Sequence, residues 1–322
     1  MSGEVFDAAA RSCCATTEEP QDTAELGRLS PVADHVYAFT QPDWGWGLNN
    51  SGVVATDEGV LLIDTCFTAR RTARLREETA RVSDAPVRYV VNTHHHGDHT
   101  FGNYQFPEAA VIGHPYCREK IISEGLAVVP YFGTVEWGDI SVRPPTVLCE
   151  DRLTLSLGGV TAEVLPVAPA HTLGDVVVWL PGPKVLFVGD IIFNGCTPVI
   201  TDGSLSGIRA ALRTLRALRP EVVVPGHGPL AGPEVFDAAD AYFDFVEDAA
   251  RKGRARGLDP LEAARAVDLG AYAAWNDSER LVANIARTYS EMDGEPVGTP
   301  LQRKEIAPMM TAFAGRPLRC RA

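Results

Sequence analysis

The chain has 322 residues, 45% of them hydrophobic, and a formal net charge of −13. Such a length buries one large core with room for an appendage. The charge excludes the basic face on which nucleic-acid binding depends, and no apolar run is long enough to span a membrane.

Residues 1–28 are polar and show no sustained periodicity, so they read as a flexible extension. Glu4 and Asp7 stand where an export signal would carry Lys or Arg, which points to the cytoplasm. The seven cysteines are odd in number and lack metal-type spacing, as suits reduced thiols. From Pro31 the pattern changes. Residues 35–39, 51–55 and 60–64 are β-rich runs separated by turn residues such as Asp57-Glu58-Gly59, an antiparallel meander. Between the first two lies Gln41-Pro42-Asp43-Trp44-Gly45-Trp46-Gly47-Leu48. Its glycines would let the loop move while Trp44 and Trp46 present apolar area.

Residues 69–83 are arginine-rich with helical propensity, and their charges read as a solvated face. The buried strand 87–91 follows. Residues 111–113 read as a strand, 116–123 as a short helix, and 124–150 as an irregular stretch walling one side of a cleft. Strands are expected at 153–157, 161–167, 176–180 and 185–188. Helix 207–218 carries Ile208, Ala211, Leu212, Leu215 and Leu218 on one face. Helices are also expected at 235–252, 260–267 (with Asp259 as N-cap) and 278–291, and the last 25 residues read as irregular. The organisation is an extension over 1–28, a catalytic domain over 29–231 and a helical extension over 232–322. That extension either packs over the cleft or makes a homodimer contact.

Strand 87–91 ends at Thr93-His94-His95-His96-Gly97-Asp98-His99. So many ionisable groups cannot all be buried unpaired, because each would cost several kcal/mol, roughly. A divalent first-row ion removes the difficulty. His94 and His96 stand two apart and can point the same way, while Asp98 and His99 lie a turn further on. That spacing suits two neighbouring metal sites. Asp64, ending its own strand, is either a turn cap or an acceptor that orients a liganding imidazole.

His94-x-His96-x-Asp98-His99 resembles the motif of the metallo-β-lactamase superfamily, and further elements follow in that family's order. His171 in Pro169-Ala170-His171-Thr172-Leu173-Gly174-Asp175 is similar to its isolated third histidine. Asp190 closing the 185–190 run is similar to its bridging carboxylate, and His227 in Val224-Pro225-Gly226-His227-Gly228-Pro229 to its last ligand. The resemblance implies a four-layer αββα sandwich, an α/β (α+β) architecture with the metals at the sheet edge. It implies that His94, His96 and His171 hold one ion, that Asp98, His99 and His227 hold the other, and that Asp190 bridges. His114 lies outside this set and is expected to be structural. The tryptophan loop would overhang the site, so Trp44 and Trp46 become candidate substrate contacts.

The implied activity is hydrolytic. A hydroxide shared by two divalent ions, zinc foremost and iron or manganese also accommodated, attacks an ester, thioester or lactone carbonyl. Asp98 would also manage protons as the tetrahedral intermediate collapses. Asp at 190, where the best-known zinc β-lactamases carry Cys, resembles glyoxalase II and lactonases instead. His at 96, where diiron flavoproteins of this fold carry Glu, argues against that redox branch. The tryptophan loop, Cys196-Thr197-Pro198-Val199-Ile200 and Gly315-Arg316-Pro317-Leu318-Arg319-Cys320 resemble bacterial polyketide cyclases and thioesterases of this fold. A small-molecule or carrier-bound acyl substrate is therefore expected, with neither nucleic acid nor membrane as partner. The alternatives from another class are an iron-dependent oxygenase of the same fold and a scaffold keeping a vestigial site.

Overall fold

The computed structural model describes residues 23–322. Most of the expected 1–28 extension lies outside the described residues. Its last part does not behave as an extension, because Thr23–Leu26 forms a 3-10 turn and the first strand begins at Arg28.

The first sheet runs in spatial order β1 (Arg28–Ala33), β2 (Val36–Thr40), β3 (Ser51–Thr56), β4 (Gly59–Ile63), β5 (Val87–Val91), β6 (Ala110–Gly113) and β7 (Val147–Leu148). Its first four strands are the antiparallel meander, and from β4 onward the pairing is parallel. The second sheet holds β8 (Leu153–Leu157), β9 (Val160–Pro166), β10 (Val176–Leu180), β11 (Val185–Phe193) and β12 (Val222–His227), in reverse spatial order.

Side-chain alternation sorts these strands into layers. Val54, Leu61, Ile63, Val176, Val178 and Phe187 meet between the sheets. Val53, Val60 and Leu62 face outward, onto Leu75 of α1 (Ala69–Ala80). Val177, Trp179, Leu186 and Val188 face the opposite outer layer, against Leu212 and Leu215 of α4 (Leu205–Ala217). With both faces covered, β10 and β11 are buried throughout, which is why they read as unbroken apolar runs. The result is helix, sheet, sheet, helix.

Each half repeats one device. Helix α1 crosses between parallel β4 and β5, and α4 crosses between parallel β11 and β12. Both crossovers return the chain to the same sheet edge. There it enters α2 (Gly97–Thr100) after β5, and it ends β12 on His227. Helix α3 (Pro115–Glu124) follows β6, and His114 caps it by accepting from the Tyr116 amide.

The helices α5 (Val235–Ala255), α6 (Pro260–Arg265), α7 (Arg280–Met292) and α8 (Arg303–Ala314) share one core with α4 and the second sheet. Two expectations are corrected here. The final stretch is not irregular throughout, since α8 forms despite Pro308 inside it. Nor is α1 solvated on every charged position: Arg70, Arg76 and Glu77 are exposed as expected, but Arg71, Arg74 and Glu78 are buried. They are paired rather than exposed. Arg74 meets Glu78 at 2.9 Å, Glu78 accepts from the Leu29 amide, and Arg71 donates to Gln41 and to the Arg321 carbonyl. Strand β1 and the C-terminal tail cover this helix, a long-range packing that no local pattern announces. Among the described residues, no helix is long and apolar enough to cross a membrane.

Candidate metal centre

Two groups of ligand-type side chains converge at the sheet edge. His94, His96, His171 and Asp190 form one, and Asp98, His99 and His227 the other, while His95 and Asp202 make a third group that shares His96 with the first. In the first, His96 Nδ1 lies 3.1 Å from His94 Nε2 and 3.0 Å from His171 Nε2. In the second, Asp98 Oδ2 lies 3.3 Å from His227 Nε2 and 3.9 Å from His99 Nε2. Asp190 stands between them. Its Oδ2 faces His94 at 3.7 Å and His171 at 3.5 Å, and its Oδ1 faces His99 at 3.1 Å and His227 at 3.6 Å.

Local backbone accounts for that placement. The β11–β12 register shifts on both sides of Gly189, and Gly189 itself adopts φ 52°, which re-aims Asp190 out of the ladder. Opposite it, a Cβ at Gly226 would fall 1.9 Å from Asp190 Oδ1, so only glycine lets β12 approach this closely.

The partners of the imidazoles select which nitrogen is free. His99 Nδ1 lies 2.8 Å from Asp64 Oδ2, leaving Nε2 toward the centre. Asp64 is further fixed by the Thr93 amide and hydroxyl, each at 2.7 Å. His94 Nδ1 lies 3.0 Å from the same Thr93 hydroxyl, which leaves its Nε2 inward. His96 is turned the other way. Its Nε2 lies 3.3 Å from Asp202 Oδ2, so Nδ1 points to the centre. Such carboxylate–imidazole pairs set tautomer and raise ligand basicity.

The donor set fits cations. His99 Nε2 and Asp190 Oδ1 are 3.1 Å apart, yet neither makes a hydrogen bond. Burial pushes His171 down to about 3 and His94 well below the ordinary imidazole range, so both are neutral. Burial opposes ionisation of Asp98, but His99 and His227 bring it down to about 2. Burial also works against charge on His99, and there Asp190, Asp64 and Asp98 prevail and raise it well above normal. Three carboxylates around one imidazole mark a place that takes a positive charge.

This centre opens on a cleft enclosing about 1140 Å³ of space that runs into solvent. Asp98, Asp190, His96 and His227 line one side, and Phe67, Phe101, Val128, Phe132, Ile306 and Met310 much of the rest. Trp46 belongs to that lining. Its indole donates to Glu279 at 3.1 Å, its ring packs on Phe132, and the Arg280 guanidinium lies 4.1 Å from it. Trp44 is not among the residues lining this cleft. It is half-buried against the core behind the loop. The loop is also tied down, by Asn276 donating to Asp43 at 2.6 Å and by the Arg321–Asp43 pair. Cys196 is wholly buried, Val199 and Leu318 reach the cleft, and Cys320 Sγ lies 3.0 Å from the Trp46 carbonyl oxygen.

Asp202 and Arg280 have site roles that sequence reasoning missed. Asp202 follows a strand by nine residues with no motif around it, and Arg280 reads as a surface position of a distant helix. No local signal marks either.

Five imidazoles and two carboxylates of metal-ligand type gather at the edge of an αββα sandwich, the arrangement of a metal-binding class of proteins. Residues 44–227 match the family described as the Metallo-beta-lactamase superfamily, and the chain belongs to it. A hydroxyacylglutathione hydrolase of Synechococcus sp. is 33% identical over 145 residues, covering 42% of this chain and 48% of that protein. The chain thus spans about half the length of that relative. The 2,4-dinitroanisole O-demethylase subunit alpha of Nocardioides sp. is 26% identical over 245 residues, 75% of this chain and 68% of that one. Among solved structures, a metallo-beta-lactamase from Pontibacter korlensis superposes with a TM-score of 0.57 at 24% identity, over 68% of this chain and 99% of that one. The family match stops at His227, so α5–α8 lie beyond it.

Proposed function

We propose that the chain is a metal-dependent hydrolase cleaving an ester, thioester or lactone carbonyl in a substrate with a large apolar body. The finer reading is a carrier-bound acyl thioester, as a polyketide thioesterase or cyclase would handle. One observation carries this proposal: the bridged pair of ligand clusters forms one side of a cleft whose other walls are aromatic and aliphatic. Pockets of this kind bind organic ligands by apolar contact and orient them with few polar groups.

His94, His96 and His171 would hold one divalent ion, Asp98, His99 and His227 a second, with Asp190 shared. An all-nitrogen-and-oxygen set suits zinc first, and iron or manganese as well. When bound, such a pair supplies a water activated at neutral pH and polarises the carbonyl. The chain's own residues do the rest. Asp64, Thr93 and Asp202 hold imidazole orientation. Asp98 is the most open carboxylate of the set, its side chain 16% exposed, and so is placed to hold a proton as the leaving group departs. Trp46, Phe67 and Phe132 exclude water and seat the apolar body, each ring contributing ~1–3 kcal/mol to binding.

The test is metal-quantified protein assayed against panels of thioesters, lactones, phosphodiesters and a cephalosporin chromophore. Turnover of hydrophobic thioesters or esters is expected, with weak cephalosporin cleavage because Asp190 replaces the thiolate of the best-known zinc β-lactamases. Cephalosporin turnover within the ordinary enzyme range of about 10⁴–10⁸ M⁻¹s⁻¹, or no carbonyl hydrolysis with both ions present, overturns the reading.

A further inference from the structure

Beside the ligands, the cleft holds a second polar patch, built from α3, α8 and the one motif histidine outside the expected ligand set. His95 is 5% exposed and lines the cleft, yet neither of its ring nitrogens has a hydrogen-bond partner. Its Nε2 stands 4.0 Å from Glu124 Oε1, beyond hydrogen-bond reach. Glu124 is engaged elsewhere. Lys120 Nζ lies 3.3 Å from Oε1, and Arg303 meets Oε2 at 2.6 Å. Two cations therefore share one carboxylate. The other carboxylate close by, Asp202, directs its Oδ2 to His96 and to the Thr201 hydroxyl, and it lies near His95 without a hydrogen bond to it.

Within this patch two cations face one hydrogen-bonded carboxylate beside a buried imidazole with open hydrogen-bonding capacity, at the edge of a cleft whose farther walls are apolar, in a chain of net charge −13. The Lys120, Glu124 and Arg303 side chains are only 19%, 25% and 31% exposed, so the charge is partly desolvated and acts strongly at short range. A buried donor or acceptor left unpaired is costly, and a ligand can complete it. We infer that His95, Lys120 and Arg303 form a subsite for a carboxylate on the substrate, beside the ligand clusters. The substrate class becomes an apolar acyl compound carrying an acid. This deepens the hydrolase reading and rests on it for events at the ligand clusters.

The experiment is calorimetric titration of metal-loaded protein with straight-chain dicarboxylates and with monocarboxylates of matching length, which requires no turnover. At the best length the dicarboxylate should bind about tenfold or more tightly, or ~1.4 kcal/mol. Lys120→Met or Arg303→Met removes the surplus charge and should bring that ratio to within about twofold. Glu124→Gln, which frees both cations, should enlarge it. The rival role for these residues is a tie between α3 and α8. That role predicts that Glu124→Gln, like the other two, lowers melting temperature and weakens both acids alike. A wild-type ratio near one at every length, a ratio surviving both Met variants, or parallel loss in all three variants overturns the subsite. Failure of the hydrolase reading shows separately, as absent carbonyl turnover.

Discussion

On the metal side of the cleft, every working side chain is ionisable and delivered from the end of a strand or the loop just beyond it. On the opposite side, apart from the Lys120, Glu124 and Arg303 patch, the lining is mostly apolar and comes from Trp46, Phe67, Phe101, loop 124–135, α8 and the C-terminal tail. The first side is held by paired charges and carbonyl-to-amide ladders, and the second by contacts between rings, such as Phe67 with Phe101 at 5.5 Å and with Trp137 at 4.7 Å. Chemistry is thus fixed by the part of the chain shared with the superfamily. The apolar wall draws both on residues inside the family match (Trp46, Phe67, Phe101, Val128 and Phe132) and on residues beyond it (Ile306, Met310 and Leu318). Substitutions on the two sides should separate accordingly, with metal content changing on one and KM on the other.

The largest effect is expected from Asp190→Ala. Protein carrying about two ions per chain should lose occupancy of both sites together, since Asp190 faces both clusters. Loss of several kcal/mol of electrostatic stabilisation then lowers kcat by about 10³-fold or more. His227→Ala should empty only the site it shares with Asp98 and His99. Elemental analysis decides, and selective loss of a single ion from Asp190→Ala would remove its bridging role.

Next in size come the residues that orient imidazoles. Asp202→Asn and Asp64→Asn should each weaken metal affinity or activity by about 10–100-fold, because His96 and His99 lose the acceptor that fixes their tautomer. Chelator competition titrations measure this. Unchanged affinity in both variants would mean that packing alone orients the rings.

The same contrast explains what could be read from the sequence. Ligands need ionisable groups clustered at strand ends, and such residues are conspicuous after apolar runs, as at His94–His99 and Asp190. Layer order came with the resemblance to the family, and the run Val176 to Leu180, whose side chains alternate between two cores, agrees with it. The cleft wall was much less legible. Ile306 and Met310 look like any core positions of a helix, and Pro308 between them is a residue that helix interiors seldom hold. The buried charges of α1 were misread for a related reason, since their partners Leu29, Gln41 and Arg321 lie far away in the chain. Arg280 and Asp202 likewise act only through tertiary contacts.

On the wall side, Trp46→Ala should raise KM for a hydrophobic ester by about tenfold, the equivalent of ~1.4 kcal/mol, with metal content unchanged. Its ring covers both Phe132 and the Arg280 guanidinium inside the cleft. Insensitive kinetics would place substrate binding elsewhere.

The smallest effect is expected at its neighbour, and it sharpens the comparison most. Trp44 sits two residues away, in the same glycine-rich loop, but packs behind it against the core of the second sheet and C-terminal helices. It also adopts φ 56°, a left-handed conformation that a bulky residue tolerates only where surroundings hold it. Trp44→Ala therefore removes packing without touching the cleft. The expected outcome is a stability loss of ~1 kcal/mol, near the centre of the range for single substitutions, with KM changed by less than about twofold. Thermal melts and kinetics on the same substrate as Trp46→Ala measure both quantities. A KM increase matching that of Trp46→Ala, without loss of stability, would place both rings on the substrate and erase the distinction between the loop's two faces.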